Sequence, residues 1–484
     1  MAYKLLKLGR WVSVTVGLVF LVAAAATWLK RHQEVDTVSN QKKIARTLEI
    51  IRTSTPANHK VLKVLFYGQS ITRSGWHNAV VAHWREKYPN TVFVVENRAL
   101  GGFASQMLVR TAEQDIAAFY PDLIIFHVYG DHRAYEKILR MFRSETAADV
   151  ILQTDHGEVL PDPPCAEGLQ LTLHRQPGCA GFLWVHQRLW NDEMSYHKIP
   201  AFAKEYGMAV EPQRQWWRDY LIRTHLDPQS MLVDDVHPND KGKELMANFF
   251  NRYFDGLVAQ WNVQTEHNIV SIPADLARHT DGQADVKFDG SRIELLSTDP
   301  LAEWPVVTID GVSSRDIDGC YQVTRSSTVG SVSDWPAVSR IMLQHDHTPE
   351  DWIATITKIS SNEKSFEFNV IASASGDEGG GSSDQKYVSK SGNLKIDAQD
   401  WMFERAYNLK HISLPIPFEV KWSVQFSCGN TPEVYDRGNG VTEYRYLLGA
   451  GLSNRMHSLR LSVAASDLTD LVEFRTYKPP LLEN

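Results

Sequence analysis

The sequence predicts a doubly wound parallel α/β sheet followed by an all-β region, the whole preceded by an apolar N-terminal helix. Three observations predict it. From Val61 onward, short apolar runs alternate with stretches that are apolar every third or fourth residue, the pattern of strands and crossover helices. Beyond about residue 263 that helical period gives way to strand-like alternation. At the N-terminus, Trp11 to Leu29 are 19 consecutive uncharged residues.

As a helix, the run Trp11–Leu29 covers about 28 Å, close to one bilayer hydrocarbon thickness. Lys4, Lys7 and Arg10 ahead of it favour a cytoplasmic N-terminus, an asymmetry that Lys30 and Arg31 reduce. Residues 1–32 thus read as a signal anchor that holds the rest outside the cytoplasm, periplasmic or at the cell surface. The competing reading is a signal peptide cleaved near Ala24-Ala25-Ala26, which makes the protein secreted. Residues 33–60 read as a stem: Ser39 or Asn40 caps a short helix with Ile44, Leu48 and Ile51 on one face, and Pro56 stops it.

The α/β part is expected over residues 61–262, with strands at Val61–Tyr67, Thr91–Val95, Leu123–Val128 and Val150–Leu152. Leu108, Ala112, Ile116 and Phe119 mark one intervening helix; Leu245, Phe249 and Tyr253 mark the closing one. The segment from about 157 to 187, with Pro161, Pro163, Pro164 and Pro177, has no period and reads as an inserted loop. Residues 263–484 read as a β-sandwich or jelly-roll-like domain. Its strands are Val306–Ile309 before an Asp310-Gly311 turn, Trp352–Ile359, Ser365–Val370 and the alternating Phe418, Val420, Trp422, Val424, Phe426. The Gly- and Ser-rich stretch Gly376–Asp384 reads as a mobile loop tip.

With 50 Lys+Arg against 58 Asp+Glu and a net charge of −8, the chain is not a histone-like nucleic-acid binder, and four cysteines are too few for a disulfide scaffold. Export nevertheless permits disulfides. Cys165 with Cys179 would close a loop of about 15 residues, worth roughly 3 kcal/mol, leaving Cys320 with Cys428; four cysteines allow three connectivities.

Ligands of open parallel sheets bind at the carboxyl ends of the strands, so the residues there carry the functional reading. They are Gly68-Gln69-Ser70, then Asn97 to Gly102, then Gly130-Asp131-His132, then Thr154-Asp155-His156, and finally Asp234-Asp235-Val236-His237-Pro238-Asn239. A serine hydroxyl needs an adjacent base to act as a nucleophile. His237 is the candidate base, and Asp234, three positions earlier, can fix its tautomer and stabilise its charged form. The backbone amides of Ser70 and Gly102 can serve a tetrahedral oxyanion. Asp155 and His156 are either substrate contacts or turn formers. His127 reads as a satisfied core histidine, Asp235 as a solvated neighbour, and Trp304, Trp352, Trp401 and Trp422 as core filling rather than sugar platforms.

The blocks Gly68-Gln69-Ser70, Asn97–Gly102 and Asp234-x-x-His237-Pro238-Asn239 resemble those of the SGNH (GDSL-like) hydrolase superfamily, over residues 61 to about 260. With its β-rich C-terminal half, the chain is similar to bacterial proteins that couple such a domain to a β-sandwich. The resemblance implies a flavodoxin-like sheet and ester hydrolysis without metal or other cofactor, frequently carbohydrate deacetylation. By match it puts the nucleophile on Ser70, an oxyanion donor on Gly102 and the rest of the triad on Asp234 and His237. There are two departures: Gln69 stands where an Asp is usual, and Gly130-Asp131-His132 stands where Gly-x-Asn is usual, which leaves His132 as the replacement oxyanion donor.

The expected activity is therefore an extracytoplasmic serine esterase releasing acyl groups, acetyl foremost, from a polysaccharide or a small ester. Its alternatives are an acyltransferase using the same acyl-enzyme and a non-catalytic glycan-binding protein on a decayed esterase fold. More distant is a metal-dependent phosphoesterase built on Asp131, His132, Asp155, His156, Asp234 and His237.

Overall fold

The computed structural model describes residues 37–158, 191–261, 268–276, 283–330, 334–344, 347–362, 364–462 and 471–481. The run Trp11–Leu29, most of the expected inserted loop, and Cys165 and Cys179 lie outside them. Among the described residues no helix is long and apolar enough to cross a membrane.

Two short helices, α1 (Thr37–Lys43) and α2 (Ala45–Thr53), precede strand β1 (Lys60–Gly68). Then come α3 (Ser70–Arg73), α4 (Trp76–Lys87), β2 (Thr91–Asn97), α5 (Ser105–Phe119), β3 (Leu123–His127), α6 (His132–Glu145) and β4 (Asp149–Gln153). The unit closes with α7 (Ile199–Glu205), β5 (Ala209–Glu211), α8 (Gln213–Thr224) and α9 (Asp240–Ala259). The five strands pair in parallel in the order β2-β1-β3-β4-β5.

The apolar runs seen in the sequence are continuous because both faces of this sheet are covered. Alternate side chains enter two different cores. Leu65, Tyr67, Ile124, Phe126, Val150 and Leu152 pack with α5 and α6, while Leu62, Val64, Phe66, Leu123, Ile125 and Ile151 pack with α2, α4 and α9.

Two expectations about this unit are corrected. Residues 33–60 do not form a free stem over their described part. Ile44, Leu48, Ile50 and Ile51 are buried in the second core, and Gln41 Nε2 donates to Leu257 O at 2.9 Å. The periodicity was that of a helix packed on a sheet, which local sequence does not distinguish from a spacer. The other correction is β5, three residues too short to show a period, which pairs with β4 through Ile151 to Gln153.

The β-rich region holds two layered units rather than one sandwich. Strands Gln283–Gly290, Arg292–Ser297, Val306–Ile309, Thr442–Gly449, Arg455–Ser462 and Leu471–Tyr477 enclose one core, with Phe288, Leu295, Ile309, Leu448, Leu459 and Phe474 inside. Between them in sequence, residues 321–426 form a second unit around a five-stranded antiparallel sheet that includes Glu350–Ile359, Phe366–Ala372 and Phe418–Phe426. Trp352, Trp401 and Trp422 are buried there, in a core continuous with the α5 side of the parallel sheet. The stretch Gly376–Asp384 is not a loop tip: Gly376–Ser382 is a strand paired antiparallel to Phe366–Ala372. Gly380 needs its missing side chain, since a Cβ would stand 2.4 Å from Phe368 O. A disulfide joins Cys320 to Cys428, as one of the open pairings expected.

Helix α5 is where the inserted β unit grips the α/β unit. Asp115 takes both Arg325 Nε at 3.0 Å and Arg325 Nη2 at 2.8 Å, Glu113 takes Arg340 at 2.7 Å, and Arg110 pairs with the fully buried Asp400.

Candidate active site

The order β2-β1-β3 makes the gap between the ends of β1 and β3 a switch point of the sheet, the place where such folds bind ligands. At the end of β1 the chain turns so tightly that a Cβ on Gly68 would stand 1.9 Å from His127 O, so only glycine fits. Ser70 then opens α3. The turn is tied down from two sides: Thr72 Oγ1 donates to His127 O at 3.2 Å, and Asn97 Nδ2 donates to Thr72 O at 2.9 Å. Leu100 N donates to Gly68 O at 3.0 Å, which lays the loop after β2 alongside Ser70. A Cβ on Gly101 would be 3.9 Å from Ser70 Cβ.

His237 comes from the loop before α9. Asp234 Oδ1 accepts from Val236 N at 2.8 Å and from His237 N at 2.7 Å, an Asx turn that swings both side chains to one side. Val233 N donates to His237 O at 2.8 Å, and Asn239 caps α9 by accepting from Gly242 N at 3.1 Å. His237 Nδ1 thereby lies 2.8 Å from Asp234 Oδ2, and His237 Nε2 lies 2.9 Å from Ser70 Oγ across 167 positions of sequence. Ser70, His237 and Asp234 thus meet at hydrogen-bonding distance.

Burial, the largest single effect, raises the Asp234 pKa, but the amides of His237 and Val236 and the His237 ring together outweigh it and hold the carboxyl at about 2. It stays ionised wherever a histidine can act as a base. The site is open to water: the His237 and Asp234 side chains are 44% and 56% exposed.

Gly102 has φ +81°, in the left-handed region that favours glycine, on the loop bordering Ser70. His132 is the first residue of α6, half-buried, while Asp131 caps that helix by accepting from Ala134 N at 2.8 Å. Gln69, the departure next to the nucleophile, is fully buried.

Asp155 and His156, read as substrate contacts or turn formers, are turned inward from the strand end. Both are buried, His156 completely, and they form a polar cluster under the base loop. Asp155 Oδ1 lies 3.1 Å from His127 Nε2 and accepts from His156 N at 2.9 Å. His156 Nε2 is 2.8 Å from Val236 O, one residue before the base. Burial opposes charge on both groups, yet each reverses it for the other: the two histidines hold Asp155 well below the usual carboxylate range, and Asp155 raises the His156 pKa. His127 is buried and bonded, as expected of a core histidine. Among the described residues no group of three or more His, Cys, Asp or Glu side chains is arranged to hold a metal ion, so the six residues of the phosphoesterase alternative do not form one centre.

Sequence reading missed Asp334 and Trp335, from the inserted β unit. Asp334 Oδ2 accepts from Gly101 N at 3.0 Å and lies 2.8 Å from Arg73 Nη1 on the nucleophile helix. Trp335 Nε1 donates to Gly101 O at 2.5 Å. Nothing local to residues 334–336 signals this, because the partner is 233 positions away. A cleft of about 460 Å³ opens beside them, lined by Arg73, His77, Asn97, Arg325 and Asp334 among others. A larger cavity of about 680 Å³ is lined by no residue of the triad or of the Gly101-Gly102 loop.

No family model and no curated protein matches the chain. Among solved structures it is similar to a two-domain esterase active on acetylated mannans, at 13% identity and a TM-score of 0.34, covering 93% of this chain and 100% of that one. It is also similar to an acetyl xylan esterase from Geobacillus stearothermophilus, at 16% identity and a TM-score of 0.31, covering 42% of this chain and 97% of the other. A third similarity is to an α/β hydrolase from the metagenome of Lake Arreo, Spain, at 17% identity and a TM-score of 0.31, covering 40% and 96%.

Proposed function

We propose that the chain is a serine esterase of the SGNH type that releases acyl groups, acetyl foremost, from a carbohydrate ester. One observation carries the reading: Ser70 Oγ, His237 Nε2, His237 Nδ1 and Asp234 Oδ2 follow one another at 2.9 and 2.8 Å, at the switch point of the sheet. Ser70 Oγ attacks the ester carbonyl carbon while its proton passes to His237 Nε2. The negative charge formed on the carbonyl oxygen is taken by the amides of Ser70 and Gly102, with His132 in place of the usual asparagine. His237 returns the proton to the departing sugar oxygen, leaving an acyl-serine; it then deprotonates a water that releases the carboxylic acid. Asp234 keeps the ring oriented and stabilises its charged form throughout.

The exposure of His237 and Asp234 supports hydrolysis over transfer, because a transferase has to keep water from its acyl-enzyme. The carbohydrate as alcohol rests on the family resemblance of the sequence blocks. The disulfide Cys320–Cys428 supports a catalytic part outside the cytoplasm, held by residues 11–29 or released by cleavage.

The test is turnover of p-nitrophenyl acetate and a panel of acetylated glycans by the full chain, with fluorophosphonate labelling alongside. Wild type is labelled at Ser70. Ser70→Ala and His237→Ala lose on the order of 10⁴–10⁶ in kcat, and Ser70→Ala takes no label. Equal labelling of Ser70→Ala would overturn the assignment of the nucleophile. No acyl release from any ester would favour the glycan-binding alternative.

A further inference from the structure

The loop that borders the nucleophile is held from another part of the molecule. Both backbone groups of Gly101 are bonded to side chains of the inserted β unit, the N–H to Asp334 and the C=O to Trp335. The geometry has a specific consequence. Gly101 C=O and Gly102 N–H belong to one peptide plane, and in a trans peptide they point in opposite directions. A donor that fixes the carbonyl therefore also aims the N–H, and that N–H is the one the mechanism assigns to the oxyanion.

The rest of the contact leaves little freedom. Trp335 is 1% exposed and packs edge-to-face on Phe103 at 5.4 Å. Its indole lies so close to Gly102 that a Cβ there would stand 3.0 Å from Trp335 Cζ2. Without this prop, Gly102, left-handed and free of a side chain, has more accessible backbone states than any other residue type. Asp334 adds a second tie through its 2.8 Å ion pair with Arg73, three residues after Ser70, and so links the oxyanion loop to the nucleophile helix.

We propose that Asp334 and Trp335 are positioning residues for ester hydrolysis, holding the Gly101–Gly102 peptide so that Gly102 N–H stays aimed at the oxyanion. The inserted β unit is thereby part of the catalytic machinery and not only an attachment. This rests on the esterase reading above. Neither side chain needs to touch the substrate; each acts through the loop.

Three measurements on the full chain test it, using Trp335→Phe, which keeps an aromatic side chain but removes the indole N–H, and Asp334→Asn, which keeps an acceptor for Gly101 N and removes the charge facing Arg73. Removing an oxyanion donor outright costs ~10²–10³ in kcat, so misaiming one is expected to cost about tenfold or more in Trp335→Phe with KM within about twofold. A boronic acid inhibitor, whose tetrahedral adduct uses the same donors, should weaken in parallel. Amide hydrogen exchange at Gly101 and Gly102 should speed up by more than the loss of global stability from the smaller buried ring accounts for. Asp334→Asn, which keeps the shape of its side chain, should show a smaller change of the same kind. A purely structural role would lower the melting temperature and leave kcat, boronate affinity and local exchange unchanged in the folded protein; that outcome overturns the proposal. If wild type proves inert to every ester and to fluorophosphonate, the esterase reading falls, and the exchange data alone decide whether the tether exists.

Discussion

Asp234 is more than half exposed and yet is held at about 2, because two backbone amides of its own turn donate to it. The Asp-x-x-His spacing is therefore a self-contained device: the turn that orients the carboxylate also delivers the imidazole. That is why Asp234 and His237 were legible from sequence. Asp155 and His156 were not, since a polar pair at a strand end looks the same whether it faces substrate or core. Their burial under the base loop gives a different expectation. Replacing His156 by Ala removes the ring whose Nε2 faces Val236 O and whose Nδ1 lies 3.1 Å from Asp155 Oδ1, leaving Asp155 short of one partner. We expect kcat to fall about tenfold, equivalent to about 1.4 kcal/mol, with KM little changed. A His156→Ala enzyme with lowered affinity for glycan and unchanged kcat would restore the substrate-contact reading.

At the scale of elements, long periodic segments agreed with expectation and short or pattern-poor ones did not. Strand β1 and helices α5 and α9 carry enough apolar residues to declare their period. The strand Gly376–Ser382 is glycine at four of its seven positions and carries no apolar side chain to declare one, and its pairing with Phe366–Ala372 is a backbone event. The disulfide belongs to this scale, because it staples the turn Asp318–Cys320 to the end of strand Phe418–Phe426. Its partners are separated by 108 positions, and closing a loop of that size limits the unfolded chain strongly. The double substitution Cys320→Ala with Cys428→Ala should destabilise by about 2–5 kcal/mol. Chemical denaturation of oxidised wild type and variant measures it; coincident curves would show that the bond is idle.

For the whole molecule, the two apolar cores of the parallel sheet have to coexist with a fully buried carboxyl, Glu211, and a half-buried one, Asp149, and these set a pH dependence of stability. Glu211, on β5, is pushed up to about 8 by burial, and Asp149, on β4, to about 6. For Glu211 the unfolded chain releases the proton near the ordinary glutamate value of 4.5 while the folded protein keeps it to about 8. Between those values the unfolded state binds fewer protons, so stability falls as pH rises. Asp149 adds a change of the same sign over a narrower and lower range. Glu211→Gln should therefore raise the melting temperature relative to wild type more at pH 8 than at pH 5. Parallel melting curves for the two proteins across that range would refute the assignment.

By itself the sequence determined what depends on near neighbours: the strands and helices with enough apolar period, the parallel sheet they imply, the Asp234–His237 turn, and a serine placed directly after a strand. Those properties are local, since hydrogen-bond spacing and side-chain periodicity act over a few residues. Only the tertiary structure decided which side chains are buried and which backbone groups distant segments restrain. It turned the expected stem into a packed layer, moved Asp155 and His156 beneath the site, and brought Asp334 and Trp335 onto Gly101. Contacts spanning more than two hundred positions arise from the packing of whole units, and no short stretch of residues encodes them.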